Sequence, residues 1–304
     1  MLQFLISVII ASLFLPTGAS FLTERSVDFS YSWPPLAQTG PQRLVNSSLG
    51  IETTADAALV VDGSTDAILY AKNNYRVQPV ASITKLLTAL VALDSNIDLG
   101  QVVTITEQDK REGNIVYLLT GEQVTVRDLL FLSLGASSNE ATAALARASG
   151  IQNFASAMNG YAYQLGMTDS TFVDSTGLEP GNISSAADLI KLGRAAFANQ
   201  LIAQAITTSE YRFTVTNTGR QVVAYSTDQL LGSFLDRGQY RILGGKTGYL
   251  DEAGYCLLVA VQQENGPTLY VTLLGSASQA DRWQEAKGLV DWVLRNYQWP
   301  AATN

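Results

Sequence analysis

Three short groups of residues carry side chains suited to acyl transfer. The first is Ser82-Ile83-Thr84-Lys85, directly after Pro79-Val80-Ala81. If a helix starts here, Ser82 lies in its first turn and Lys85 one turn later on the same face. The amine can then reach the hydroxyl, and the helix N-terminus offers a positive dipole and unpaired N–H groups to developing negative charge. A serine hydroxyl is a poor nucleophile until a base removes its proton. Lys85 becomes that base if burial or another cation depresses its pKa. Alone, the group reads more simply as an N-cap followed by a solvated lysine. The second group is Ser137-Ser138-Asn139, between Leu134-Gly135-Ala136 and a stretch of Ala, Thr and Leu. A polar turn joining two helices presents Ser137 and Asn139 to a cleft. There Ser137 could relay a proton between Lys85 and a leaving group, and Asn139 could bind a substrate amide. Alone it is an ordinary capping turn. The third group is Gly244-Gly245-Lys246-Thr247-Gly248-Tyr249. Its glycines let another backbone come close, so an extended substrate could add along this strand edge through main-chain hydrogen bonds. Lys246 and Thr247 would then meet a carboxylate at the substrate's end. The plainer alternative is a glycine-rich turn with an exposed lysine.

Composition narrows the chemistry. The 304 residues include no histidine and one cysteine. Ser-His-Asp and Cys-His machinery, histidine-bearing zinc sites and histidine-phosphate chemistry are therefore excluded. A general base must be Lys, Asp, Glu, Tyr or a water. One cysteine allows no intramolecular disulfide and no thiolate-built metal site. Neither a metal nor an organic cofactor is expected. The net charge of −8 and the absence of any run of like charge argue against nucleic acid as a partner.

The elements that must position these groups can be read in outline. Ala57 to Val61 and Ala67 to Tyr70 form strand-like runs around the turn Asp62-Gly63-Ser64, a hairpin. Ile83, Leu86, Leu87, Leu90 and Val91 mark one apolar helix face. Further helices are expected over Val126 to Leu134, Asn139 to Ala148, Phe154 to Leu165 and Ala186 to Ala198. Strands return at Tyr255 to Val261 and Thr268 to Leu274, joined by Glu264-Asn265-Gly266-Pro267, with another strand through Lys246 before them. A last helix carries Trp283, Ala286, Val290, Val293, Leu294 and Tyr297 on one face. Strands from both chain ends with helices between them imply an α+β fold: an antiparallel sheet closed by the termini, with a helical subdomain inserted. Ahead of this domain, Leu2 to Leu15 carry no charge and precede the small-residue segment Pro16-Thr17-Gly18-Ala19-Ser20. The run is short of the roughly 20 residues that span a bilayer but suits an export signal, although no Lys or Arg precedes it. Residues 1–20 are expected to be a signal peptide or, uncleaved, a membrane anchor. Residues 21–54, with Pro34, Pro35 and Pro41, read as a flexible spacer. The catalytic domain is expected at 55–298 and a short tail at 299–304.

SxxK, SxN and KTG, in that order, form the motif set of penicillin-binding proteins and class A β-lactamases. The segment from Ala57 to Asp94 resembles the opening of the serine D-alanyl-D-alanine carboxypeptidases, the low-molecular-mass penicillin-binding proteins of peptidase family S11. It includes Leu69-Tyr70-Ala71-Lys72-Asn73 ahead of the SxxK. Further matches are Leu165-Gly166-Met167, Phe172 through Gly177-Leu178, Asn182 with Ser184-Ser185 and Asp188, and Lys246 through Gly254-Tyr255-Cys256. The resemblance implies the serine β-lactamase and penicillin-binding transpeptidase fold over residues 55–298. It makes Ser82 the nucleophile, Lys85 its base, and Ser137 and Asn139 the proton relay and substrate-amide ligand. It makes Lys246, Thr247, Gly248 and Arg282 the substrate site, and the backbone N–H groups of Ser82 and Tyr249 the oxyanion hole. Of these, Arg282 follows from the resemblance alone; by pattern it is a charged residue opening the last helix. The implied substrate is the peptidoglycan stem pentapeptide, which loses its terminal D-alanine, and β-lactam antibiotics are the implied covalent inhibitors. The implied location is the periplasm or the outer face of the cytoplasmic membrane.

Ser138, Tyr249 and Asp228 depart from residues frequent in the family. No second β-domain or C-terminal amphipathic helix follows the catalytic domain, so membrane attachment is expected only through the N-terminal segment. Three other readings compete. A D,D-endopeptidase acting on cross-links uses the same residues with a different cleft. A class A β-lactamase would need a deacylating glutamate, for which Glu179 is the candidate. A non-enzymatic cell-wall-binding pseudoenzyme or penicillin sensor is the third, and the intact Ser82, Lys85 and Lys246 argue against it. Cys256 sits in an apolar strand and is expected to be buried and inert. The sequons at Asn46 and Asn182 carry no meaning in a bacterial envelope protein.

Overall fold

The computed structural model describes residues 40–111, 113 and 115–300. The expected signal segment, the spacer up to residue 39 and the last four residues lie outside the described residues.

Strand β1 (Gln42–Arg43) opens the described chain, followed by β2 (Ala57–Asp62), β3 (Ile68–Lys72) and β4 (Gln78–Pro79). A single 3-10 turn, Ala81–Ile83, leads into helix α1 (Thr84–Asp94). Strands β5 (Val102–Thr104) and β6 (Gln123–Thr125) form a small pair before α2 (Val126–Leu134), α3 (Asn139–Ala148) and α4 (Phe154–Gln164). Then come β7 (Ile183–Ser184), α5 (Ala186–Ala198), α6 (Gln200–Thr207), and the hairpin of β8 (Glu210–Thr214) and β9 (Gln221–Tyr225). The chain closes with β10 (Tyr240–Leu250), β11 (Gly254–Gln263), β12 (Thr268–Ser276), α7 (Gln279–Asn296) and β13 (Tyr297–Gln298).

The main sheet has the order β10-β11-β12-β2-β3, antiparallel throughout. It therefore joins the first long strands to the last, as the α+β reading requires. Its central strands are covered on both faces, which explains their unbroken apolar runs. One core lies between the sheet and the helices α1 to α6, with Leu59, Leu258, Ala260 and Leu274 facing Leu86, Leu189 and Phe197. The other lies under α7, where Val60, Leu257, Val259 and Val271 meet Trp283, Ala286, Val290 and Val293. No described helix is long and apolar enough to cross a membrane.

The helix starts follow their caps. The Thr125 hydroxyl accepts from Asp128 N–H while the Asp128 carboxylate accepts from Thr125 N–H, a capping box at α2. The Ser138 hydroxyl accepts from Ala141 N–H and Ser185 from Asp188 N–H, opening α3 and α5. The turn at 264–267 is built on Asn265 at φ 53°, a left-handed conformation that Asn tolerates.

Several expectations need correcting. Residues 40–54 are not loose spacer. Strand β1 pairs with β13, Trp292 Nε1 donates to Ser48 Oγ, and Lys72 Nζ and Tyr70 OH donate to the carbonyls of Thr53 and Ile51. Polarity and prolines hid a strap whose partners on α7 and β13 lie more than two hundred residues away. Tyr297 is not on the face of α7: the helix ends at Asn296, and Tyr297 opens β13 and donates to Leu69 O. Trp299, assigned to the tail, donates through Nε1 to the buried Asp62 carboxylate. The small strand pairs β5–β6 and β8–β9 and helix α6 escaped the pattern reading because each is short and half exposed.

Candidate active site

Ser82 stands at the foot of α1, in a turn entered through Ala81 at φ 49°. Lys85 is fully buried, and its Nζ lies 2.7 Å from Ser82 Oγ. The same nitrogen is 2.8 Å from Asn139 Oδ1 and 2.5 Å from the Thr176 carbonyl. Burial pulls the Lys85 amine down to about 7, against the opposing pull of the Asp174 and Glu140 carboxylates. The solvated-lysine reading of SxxK is thereby excluded.

Ser137 sits between α2 and α3 at φ 58°, a conformation in which a non-glycine residue is uncommon. Lys246, buried on β10, donates to Ser137 Oγ at 2.9 Å and to the Thr247 carbonyl at 2.9 Å. Its amine is held well below the usual lysine range, first by burial and then by the positive charges of Lys85 and Arg282. The glycine-rich turn with an exposed lysine is therefore a long edge strand with a buried one. Ser138 is buried outside the cavity lining, and its hydroxyl caps α3.

Strand β10 crosses the nucleophile turn closely. A Cβ at Gly248 would lie 2.7 Å from Val80 O and 3.2 Å from Ser82 N, so only glycine allows this approach. The backbone around Tyr249 thus lies beside that of Ser82, while the Tyr249 ring is half exposed and stacks on Tyr255 at 4.4 Å. Thr247 shares a 2.8 Å hydroxyl–hydroxyl contact with Thr227. Arg282, at the start of α7, is buried between the Tyr255 and Trp283 rings and donates to the carbonyls of Gly248 and Cys256. All of these groups surround one cavity of about 690 Å³, lined by Ser82, Ser137, Asn139, Thr247, Gly248, Tyr249 and Arg282. Leu250, Asp251, Glu252 and Gln279 line it as well. Lys85 and Lys246 lie beneath it, each reaching a lining serine from below. Such a volume falls within the range of small-ligand sites.

The Thr176 carbonyl, the Asp174 and Glu140 carboxylates, Gly177, Leu178, Ser226, Thr227 and Gln229 also reach the site and were not assigned to it from sequence. Thr176 contributes a backbone oxygen, so its residue type gives no signal. Asp174-Ser175-Thr176-Gly177 does have the form of a turn built on an Asp side chain, and the Asp174 carboxylate accepts from Thr176 N–H at 2.7 Å. Asp228 is buried behind Gly245, with one oxygen accepting from Leu230 N–H. Burial pushes its carboxyl up to about 6. Glu179, the residue a class A β-lactamase reading needs, is exposed and lies outside the cavity lining. Cys256 is buried, and burial pushes its thiol up to about 11.

The profile of the D-alanyl-D-alanine carboxypeptidase family, peptidase S11, matches residues 43–277. A D-alanyl-D-alanine endopeptidase of Pseudomonas aeruginosa is 34% identical over 246 residues, covering 77% of this chain and 78% of its own. One from Escherichia coli is 32% identical over 246 residues, covering 80% and 78%. The crystal structure of the Streptomyces K15 DD-transpeptidase superposes with a TM-score of 0.74 at 29% identity, covering 82% of this chain and 100% of that one. The family match runs from β1 to the end of the main sheet, and the chain belongs to the D-alanyl-D-alanine carboxypeptidase family, peptidase S11.

Proposed function

We propose that the chain is a serine D,D-peptidase that hydrolyses the bond after a D-alanyl residue in peptidoglycan peptides, through an acyl-enzyme on Ser82. The observation that carries this is the buried Lys85 Nζ 2.7 Å from Ser82 Oγ, with its amine lowered to about 7. A neutral lysine has two N–H groups and one lone pair. Asn139 Oδ1 and the Thr176 carbonyl accept the two N–H groups, which leaves the lone pair for the Ser82 proton. Ser82 Oγ then bonds to the D-alanyl carbonyl carbon, and the oxyanion falls between the backbone N–H groups of Ser82 and Tyr249. The proton passes from Lys85 by way of Ser137 to the leaving amine, and the C–N bond breaks. Water hydrolyses the ester and restores Ser82.

Lys246, Thr247 and Arg282 hold the carboxylate of the residue that leaves, and Asn139 the amide on the acyl side. An arriving carboxylate favours the charged form of Lys246, and that charge in turn disfavours protonation of Lys85. The two amines thus take opposite states, Lys246 charged and Lys85 neutral. β-Lactams, which carry a carboxylate beside a reactive acyl bond, would acylate Ser82 by the same steps. The substrate places the work outside the cytoplasmic membrane.

For the leaving group we favour a second stem peptide, which makes the activity that of a D,D-endopeptidase on cross-links. The likeness to two endopeptidases, over 77–80% of this chain and 78% of theirs, supports this. Removal of a terminal D-alanine, the activity for which the family is named, is the second reading. Purified protein given a pentapeptide and a cross-linked dimer in parallel separates them. Faster dimer cleavage is the expected result; faster D-alanine release from the pentapeptide would make the carboxypeptidase reading correct.

A further inference from the structure

Two carboxylates, those of Asp174 and Glu140, act on the Lys85 amine. Glu140 braces a neighbouring loop, its Oε1 accepting from Tyr117 N–H at 2.7 Å. Asp174 is built differently. Its oxygens accept from the N–H groups of Thr176 (2.7 Å), Gly177 (3.1 Å) and Glu179 (3.3 Å), from Asn182 Nδ2 (2.8 Å), and from the Thr176 hydroxyl. The turn is wound around this one carboxylate. It is also fixed to α1, because Asn182 Nδ2 lies 3.1 Å from Thr84 Oγ1, one residue before Lys85. At Gly177 it presses on the nucleophile turn: a Cβ there would come within 2.2 Å of Ala81 O. The outcome is a single carbonyl, that of Thr176, pointing at Lys85 Nζ from 2.5 Å.

We propose that Asp174 is a positioning residue for acylation: its carboxylate winds the turn that aims the Thr176 carbonyl at Lys85 Nζ, and its charge faces the amine that takes the Ser82 proton. This rests on the acyl-transfer reading above. The two effects have opposite signs on the rate. The fixed carbonyl takes one N–H of the neutral amine and aligns its lone pair, which speeds proton removal. The negative charge favours the ammonium form, so acylation loses its base at a higher pH than it otherwise would. Asp174 thus gives up some reactivity at acidic pH for alignment of the base. The other charges near Lys85, Glu140 from α3 and Lys246 from β10, are unaltered when Asp174 alone is changed.

The proposal is tested by the rate of Ser82 acylation by a fluorescent penicillin from pH 5 to 9, on wild type, Asp174→Asn and Asp174→Glu. Asp174→Asn should lower the plateau roughly tenfold through lost alignment. It should also move the acid limb down, because the negative charge that favours the ammonium form of Lys85 is gone. Asp174→Glu keeps the charge and should lower the plateau with the limb left in place. A uniform loss with an unmoved limb in Asp174→Asn would overturn the proposal, as would a limb moved upward or an unchanged profile. If Asp174→Asn does not fold by circular dichroism, Asp174→Ser removes the same charge and is judged by the same limb. Wild type that is never labelled would instead refute the acyl-transfer reading itself.

Discussion

At the residue scale, the site is organised by two buried amines sharing one small volume. Lys246 touches Ser137 and Lys85 touches Ser82, so each of the two serines has an amine beside it in a chain without imidazole. Replacing Lys246 by Gln removes both the carboxylate ligand and the charge that disfavours protonation of Lys85. We predict that acylation by penicillin falls about a hundredfold at pH 8 and that its acid limb moves upward; stopped-flow labelling across pH measures both. In wild type, Lys85 lowered to about 7 places the acid limb near neutrality. Below it the amine is protonated and the rate should fall tenfold per pH unit, and no histidine can account for the limb. The residues of this pair were legible in the sequence because SxxK, SxN and KTG fix residue types. The Thr176 carbonyl was not, because a backbone acceptor leaves no mark on composition. Asp174 was hidden for a related reason: its partners are mostly N–H groups of its own turn.

At the element scale, three turns and one edge strand converge. Gly248 of β10 and Gly177 of the 174–182 loop each approach the Ser82 turn at distances that leave no room for a side chain, and Lys246 of β10 reaches Ser137. Gly177 also has φ +81°. Gly177→Ala must therefore push the loop away from Ala81 and carry the Thr176 carbonyl with it. Labelling by penicillin should drop at least a hundredfold while far-ultraviolet circular dichroism stays near that of wild type. Wild-type labelling in this variant would show that the contact does not matter. The bounds of α2, α3 and α5 were readable from sequence because Thr125, Ser138 and Ser185 cap them where the apolar period begins. The β8–β9 hairpin was not. Tyr211 and Phe213 alternate with Arg212 over only a few residues, and their packing on Phe131 of α2 is long-range.

At the scale of the whole molecule, the domain closes on itself through its ends. The strap of residues 40–54 lies on α7, and Trp299 reaches back to Asp62 at the end of β2. Sequence polarity suggested loose ends because each contact depends on a partner far away in the chain. Asp228 links stability to pH across this closed domain. Its folded carboxyl is raised from 3.8 to about 6, so it binds its proton more tightly folded than unfolded. The associated stability is complete below about pH 4 and is lost as pH rises through about 6. The loss is on the order of 3 kcal/mol, at 1.36 kcal/mol per pKa unit. Asp228→Asn, which never ionises, should therefore melt roughly 5 °C above wild type at pH 8 and show no such gain at pH 4. Scanning calorimetry at the two pH values decides it, and an equal difference at both would refute the assignment.

The most direct test of the serine–lysine mechanism is intact-protein mass spectrometry with peptide mapping after brief exposure to penicillin at pH 8. The wild-type chain should gain one penicilloyl group, mapped to Ser82, and Ser82→Ala should gain none. Absence of an adduct on the folded wild-type protein, or equal labelling of Ser82→Ala, would contradict it.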